Sequence, residues 1–544
     1  LAKVLLVDDE ADQLEMRRMV LEARGYEVAE ATNAEDALER IGDCDRVVMD
    51  MRMPRVEDGR ALIRALHAAR PGLPIIVLSG CAQDIESAPE RSEVREVIEK
   101  PVRPERLLRA LAALGLWLML VAAPAGAEEF SFTLDRRAEV LATITLSAPG
   151  GDWAERGREG SVAALECAGL APQHLMVATG DKRLEYRVFL GPLNAGRHTL
   201  YVKRDANLSA KGAGLAVHGA QFRALDAAND DDLAVLHAPV LYARENTVGQ
   251  FTDVPLLAYY TKGSENGMRV FEYTIIFSNE DGGTSTRNLM ARWGRVTDIE
   301  YIYRVWLDAE GRPAKTLIQT KDHKDVPYEG EREGFHSLLI PITQNNMVAP
   351  LNGGRSAVRY QLAPVFADLS GGSRELVMDA APFTYEVSVK ELQREGKLRP
   401  HMAAPRGPDE EEMISDPRNY LVIEAKLKVE DTVVQFLVRD QSSPTWVTSS
   451  MGQPENYIGR DGWVRAAIEL PPQTLRTRVV EIGFECALFR DEKKGIRPKT
   501  GRCVVERLGR VFTLGHDYAP LVSVALPAGS WEMRNGEIVT LRLP

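Results

Sequence analysis

The stretch RALAALGLWLMLVAAPAGAEEF (Arg109–Phe130) divides the chain into two kinds of sequence. Ahead of it, apolar runs alternate with helical patterns. After it, the apolar period falls to two. From Ala110 to Ala127 there are 18 residues without a charge. As a helix they would span roughly 27 Å, the low end for crossing a bilayer. Arg103, Arg106 and Arg109 precede the run and Glu128 and Glu129 follow it, a bias that places the N-terminal side in the cytoplasm. The stretch also has the three parts of an export signal: arginines, an apolar core, and Ala125-Gly126-Ala127 as a small-residue cleavage site. Three readings of 110–127 stay open: a transmembrane segment, the signal peptide of a second protein read together with the first, and an over-long last helix of the first segment buried in a soluble protein. The second leads, because a cleavage site is useless to a permanent anchor.

A chain of 544 residues is too long for one core. Its apolar fraction of 44% and charged fraction of 27% are ordinary for globular proteins. A net charge of -12 argues against a non-specific grip on nucleic acid, and no basic tail is visible. Five cysteines do not make a disulfide scaffold. Cys486 and Cys503 would pair in an exported segment and stay as buried thiols otherwise.

In the first segment, KVLLV (Lys3–Val7), YEVAEA, DRVVMD, PIIVLSG and REVIEK read as short strands. ADQLEMRRMVLEARG, NAEDALERI and GRALIRALHAAR read as helices between them, and RPERLLRAL as a last one with Leu107, Leu108, Leu111 and Leu114 inward. This alternation predicts a doubly wound α/β unit with a five-stranded parallel sheet over residues 1–114. Strands without polar alternation fit a sheet covered on both faces. In such sheets ligands gather at the carboxyl ends of the strands. The polar residues stand there: Asp8 and Asp9, Asp50, Ser79 and Lys100. Converging carboxylates repel one another, and a hard divalent cation such as Mg²⁺ relieves that. One carboxylate could then attack a phosphoryl group in line, with the hydroxyl and the ammonium sharing charge on its oxygens. A solvated turn explains any one Asp alone; the ordered set points to a site.

These residues carry a resemblance. VDDE at 7–10, MDMRMP at 49–54, LSG at 78–80 and EKP at 99–101 resemble the receiver domain of two-component response regulators. The resemblance implies a flavodoxin-like fold in which Asp50 accepts a phosphoryl group from a sensor histidine kinase or a phosphotransfer protein. It implies that Asp9 and Asp50 bind Mg²⁺ directly, Asp8 through water, and Arg52 through its backbone carbonyl. Ser79 and Lys100 would stabilise the phosphoryl oxygens, and Pro101 would follow a cis peptide bond. Self-phosphorylation and dephosphorylation would depend on Mg²⁺. Three departures stand out. Asp50 to Gly59 is nine residues where the family has eight to the glycine that opens the next helix. Val97 stands where the family places its switch aromatic. SAPERSEVRE lacks the usual glycine before the fifth strand, which predicts a short fourth helix. The acceptor chemistry is therefore expected intact and the output switch modified.

The remainder reads as all-β, antiparallel and sandwich-like: a small sandwich at 128–225, a β-rich region at 226–392, a loose linker at 393–417, and β-rich 418–544, separate or one unit with 226–392. LDAANDDD reads as a linker. Asp298 and Glu300 share one face of a strand, as a glycosidase pair would, but exposed charges on an edge strand explain them better. His323 with Asp322 and Asp325 lacks a second His at ligand spacing. No G-x-S-x-G, H-E-x-x-H or zinc pattern is present, so no catalytic residue is assigned in this part. Trp153, Trp293, Trp306, Trp446, Trp463 and Trp531 would stack on a glycan if exposed and pack the core otherwise. The receiver is expected in the cytoplasm. The rest is expected in the periplasm, secreted or membrane-anchored, as a β protein binding glycan or protein.

Overall fold

The computed structural model describes the chain except residues 1–2, 23–25, 71–72, 82, 87, 103–105, 109, 112–125, 245–246, 248–249, 281, 353–355, 357, 401–411, 442–444, 471–478, 493–494 and 544. It divides into two compact units, Leu1–Ala125 and Gly126–Pro544. Most of the apolar run 110–127, and with it the membrane and export readings, lies outside the described residues. Among those described, no helix is long and apolar enough to cross a membrane.

The first unit holds β1 (Lys3–Val7), α1 (Ala11–Glu22), β2 (Glu27–Ala31), α2 (Ala34–Arg40), β3 (Arg46–Asp50), α3 (Val56–Ala69), β4 (Ile75–Ser79), α4 (Gln83–Glu86) and β5 (Glu96–Glu99). The strands are parallel, in the order β2-β1-β3-β4-β5. Successive side chains point to opposite faces, and here both faces are buried. Leu5, Val7, Val47, Met49, Ile75 and Val77 pack with Leu62, Ile63 and Leu66 of α3. Val4, Leu6, Val48, Ile76 and Leu78 pack with Leu14 and Leu21 of α1 and with Leu107 and Leu111. Each fully buried aliphatic side chain contributes about 1.5–3 kcal/mol. This explains why unbroken apolar runs, not alternating ones, mark these strands. Helix α2 starts where Asn33 accepts a hydrogen bond from the Asp36 N–H at 2.9 Å. The fourth helix is short, four residues followed by a 3₁₀ turn at Pro89–Glu93.

The second unit opens with a sandwich of β6 (Glu128–Leu134), β7 (Ala138–Ser147), β8 (Ser161–Cys167), β9 (Gln173–Val177), β10 (Leu184–Leu193), β11 (Gly196–Arg204) and β12 (Ala216–Ala224). Its sheets are ordered β10-β7-β12 and β6-β11-β8-β9. LDAANDDD is not a linker: Asn229 caps a helix, Asp230–Leu236, and accepts from the Asp231 N–H at 2.8 Å. Asp232 in its first turn takes both Arg223 nitrogens, at 2.5 and 2.6 Å. A six-stranded sheet follows, with Met268–Phe277 and Asp298–Leu307 at its centre. The helices Thr286–Trp293 and Phe383–Arg394 pack against this region. The C-terminal part is a second sandwich. One sheet carries Tyr420–Glu430 and Arg502–Phe512, the other Thr432–Asp440 and Val479–Leu488. Cys486 and Cys503 join the two sheets as a disulfide, and both are fully buried.

Trp153 ties the first sandwich to the helix Phe383–Arg394. It is fully buried, and its indole N–H donates to Glu391 at 3.0 Å. Burial pushes the Glu391 carboxyl up to about 7, against the pull of Arg394. A carboxyl whose folded value lies above its unfolded one stabilises the fold at low pH and loses that contribution as pH rises through the folded value. From 4.5 to about 7 the contribution amounts to roughly 3 kcal/mol. Glu280, raised to about 7 chiefly by burial, acts in the same direction. The second unit is therefore expected to lose stability between about pH 4.5 and pH 7 and to level off above that. Glu391→Gln, which keeps an acceptor for Trp153, should flatten that loss in thermal melts run across the range. A melting profile identical to wild type would refute the assignment.

Candidate functional site

Parallel register brings distant residues to one edge. Val7 lies beside Met49 and Ala31, Asp50 beside Leu78, and Ser79 beside Glu99. Asp8, Asp50, Ser79 and Lys100 thus emerge together at the carboxyl ends of β1, β3, β4 and β5. Asp8, Asp9 and Asp50 each offer an oxygen, and these lie within 4.8 Å of one another. Asp8 is 1% exposed and Asp50 7%, whereas Asp9 faces solvent. The Lys100 ammonium sits 2.8 Å from Asp50 Oδ1, which also accepts the Met51 N–H at 2.9 Å. The Lys100–Pro101 peptide is cis, as is Met53–Pro54, and the Lys100 N–H donates to the Ser79 carbonyl at 2.8 Å. Ser79 is fully buried; its hydroxyl donates to the Cys81 carbonyl at 2.8 Å and accepts the Cys81 N–H at 3.1 Å. The guanidinium of Arg52 reaches Asp84 at 3.0 Å, which leaves its role to the backbone.

The donor set fits a hard cation: three carboxylates, clustered, with oxygen ligands only. Two cations already partly offset them. Lys100 meets Asp50, and Arg17 of α1 meets Asp8 Oδ2 at 2.5 Å. Arg17 was not among the residues the sequence pointed to. Its signal was its place in the apolar stripe of α1, three residues after Leu14 and four before Leu21, all three buried.

The longer loop after Asp50 is absorbed by α3. Gly59 does not open that helix; it is the fourth residue in it, pressed against the Met51 backbone. A Cβ there would lie 2.1 Å from the Met51 carbonyl oxygen. Gly→Ala inside a helix ordinarily stabilises, by about 1 kcal/mol. Here overlap with backbone outweighs that. Gly59→Ala is expected to destabilise this unit by about 3 kcal/mol, read as a lower urea midpoint. An unchanged midpoint would show that the loop yields freely. Val97, in the switch position, is half-buried against the core and brings no ring.

Among the described residues, the second unit offers no comparable cluster of carboxylates. Asp298 and Glu300 are not exposed charges, although their part of the strand pairs on one side only, with Phe277 and Ile275. Asp298 is fully buried, accepts the Asn346 amide at 2.9 Å, and hydrogen-bonds Glu300. Burial holds both carboxyls above the usual range. Carboxyls that share a proton are too close for either glycosidase spacing. Trp153 and Trp306 are buried, and Trp293, Trp446 and Trp463 are half-buried with arginines over their rings. Trp531 is half-buried and packs against the core of the C-terminal sandwich.

The profile of the response regulator receiver domain matches residues 4–112. The chemotaxis protein CheY of Thermotoga maritima is 36% identical over 115 residues, 20% of this chain and 93% of that protein. The sensor kinase CckA of Brucella abortus is 42% identical over 88 residues, 15% of this chain but only 9% of that protein. Among solved structures, the response regulator TrrA of Thermotoga maritima in complex with Mg²⁺-BeF is 26% identical, covering 21% of this chain and 99% of that one at a TM-score of 0.20. Through residues 4–112, the chain belongs to the receiver domain family of two-component response regulators.

Proposed function

We propose that the first unit is a phosphorelay acceptor and that Asp50 receives the phosphoryl group from a histidine kinase or a phosphotransfer protein. One observation carries this reading: three carboxylates meet within 4.8 Å, with the Lys100 ammonium 2.8 Å from Asp50. Asp50 Oδ attacks phosphorus in line, and the bond from phosphorus to the donor imidazole breaks, its electron pair staying on the ring. Lys100 leaves its ion pair with Asp50 to meet a phosphoryl oxygen. The Ser79 hydroxyl turns from the Cys81 carbonyl to meet another. Asp9, Asp50 and the Arg52 carbonyl would hold Mg²⁺, with Asp8 acting through water. When bound, the ion would neutralise charge that builds on the transferring oxygens.

The donor would dock beside this edge. A groove of about 460 Å³ opens there, lined by Met16, Val20, Pro101, Val102 and Leu107. Met16 and Met19 of α1 are 54% and 61% exposed, an adaptable apolar surface for a helical partner. The test is acetyl phosphate with Mg²⁺ on the full chain. An alkali-labile acyl phosphate should form and map to Asp50. A stable phosphoester, or a label elsewhere, would overturn the reading.

A second reading concerns residues 126–544 and is favoured by the Cys486–Cys503 disulfide. Such bonds persist in oxidising compartments. We infer that this unit matures outside the cytoplasm, while the receiver stays inside. The run Ala110–Ala127 would be where the chain crosses or is cut.

A further inference from the structure

We propose that Arg17 is a positioning residue that sets the Mg²⁺ affinity of the acidic site, acting as a built-in counter-charge on Asp8. The proposal rests on the acceptor reading of that site and goes one residue further. Arg17 is 8% exposed, in the apolar stripe of α1. Its Nη1 donates to Asp8 Oδ2 at 2.5 Å and its Nη2 to Gln13 Oε1 at 3.1 Å. Asp8 Oδ1 is taken by the Glu10 N–H at 3.0 Å. Both oxygens of Asp8 therefore have donors before any metal arrives. Lys100 does the same for Asp50, and Asp9 is the member of the trio with no ion pair among the described residues.

This arrangement has two consequences. Without metal, a guanidinium at bonding distance relieves the repulsion between buried carboxylates, so the pocket keeps its shape. With metal, the same guanidinium is a fixed positive charge beside a dication. Like charges in a partly buried site are poorly screened, so Arg17 weakens binding. Lys100 can swing to the phosphoryl group, because its side chain is a third exposed. Arg17 is held by Gln13 and by burial, and stays.

The test is isothermal titration of EDTA-stripped full chain with Mg²⁺, the site being assigned by loss of the signal in Asp9→Asn. Arg17→Met should bind at least about tenfold tighter than wild type. Arg17→Lys, which keeps the charge, should stay within about threefold. A second readout does not involve phosphorylation. In thermal melts of the metal-free chain Arg17→Met should unfold earlier than wild type, and 10 mM Mg²⁺ should raise its midpoint by more, because tighter binding stabilises by linkage. If wild type binds Mg²⁺ and Arg17→Met binds no tighter, the role of Arg17 falls while the acceptor reading stands. If wild type takes up no Mg²⁺ at all, both fall together.

Discussion

Asp50→Asn is expected to abolish labelling by acetyl phosphate. The amide has the shape of the carboxylate but neither its charge nor its nucleophilicity, so the rate should fall to under about one hundredth of wild type. The fold should survive. Asp50 is one of three clustered carboxylates, and removing its charge lessens their mutual repulsion, although Lys100 loses its ion pair. Unfolding free energies of variant and wild type from urea titration should therefore differ by no more than about 1 kcal/mol. This separates loss of the acceptor from loss of the unit. EDTA should stop labelling of wild type, because the trio alone presents mostly negative charge to an incoming phosphate. Asp8 and Asp9 are the internal competitors, each with an oxygen within 4.8 Å of one on Asp50. Label that persists in Asp50→Asn and disappears in Asp9→Asn would move the acceptor. Equal label in wild type and Asp50→Asn would remove the phosphorelay reading.

The receiver was legible because its chemistry sits at strand ends. Each apolar run stops at a residue that has no business in a core, and parallel pairing places those stops side by side. What was not legible depended on tertiary contact. Arg17 looks like a surface arginine until α1 is laid on the sheet. Gly59 reads as a helix start by analogy, yet what fixes it is the Met51 backbone 2.1 Å from its missing Cβ. In the β-rich part, period-two patterning exposed the sandwiches, but the β reading of 226–392 did not foresee the helix Phe383–Arg394, whose buried Tyr385, Val389 and Leu392 recur at helical spacing. Asp298 and Glu300 looked exposed because what covers them is distant in sequence: Asp298 meets Asn346, a contact that no local pattern announces.

The largest stability effect in the second unit should come from the disulfide. Spacing could not pair Cys486 with Cys503; the sandwich does, because their strands lie in opposite sheets with Cα atoms 5.9 Å apart. The bond closes a loop with a sequence separation of 17. In the chain-entropy account, that closure is worth about 3 kcal/mol. Cys486→Ala with Cys503→Ala should lower the stability of the C-terminal sandwich by that amount or somewhat more, since both sulfurs are fully buried and their loss leaves a void. Reductant in the urea titration should move wild type towards the variant and leave the variant where it is. The same pair reports on compartment. The chain has five cysteines, and Cys44, Cys81 and Cys167 are free. Denatured without reductant, protein recovered from an oxidising compartment should titrate three thiols, and protein held in the cytoplasm five. If cytoplasmic protein already shows three and folds to full stability, the disulfide says nothing about export, and the second unit has no claim to a life apart from the receiver.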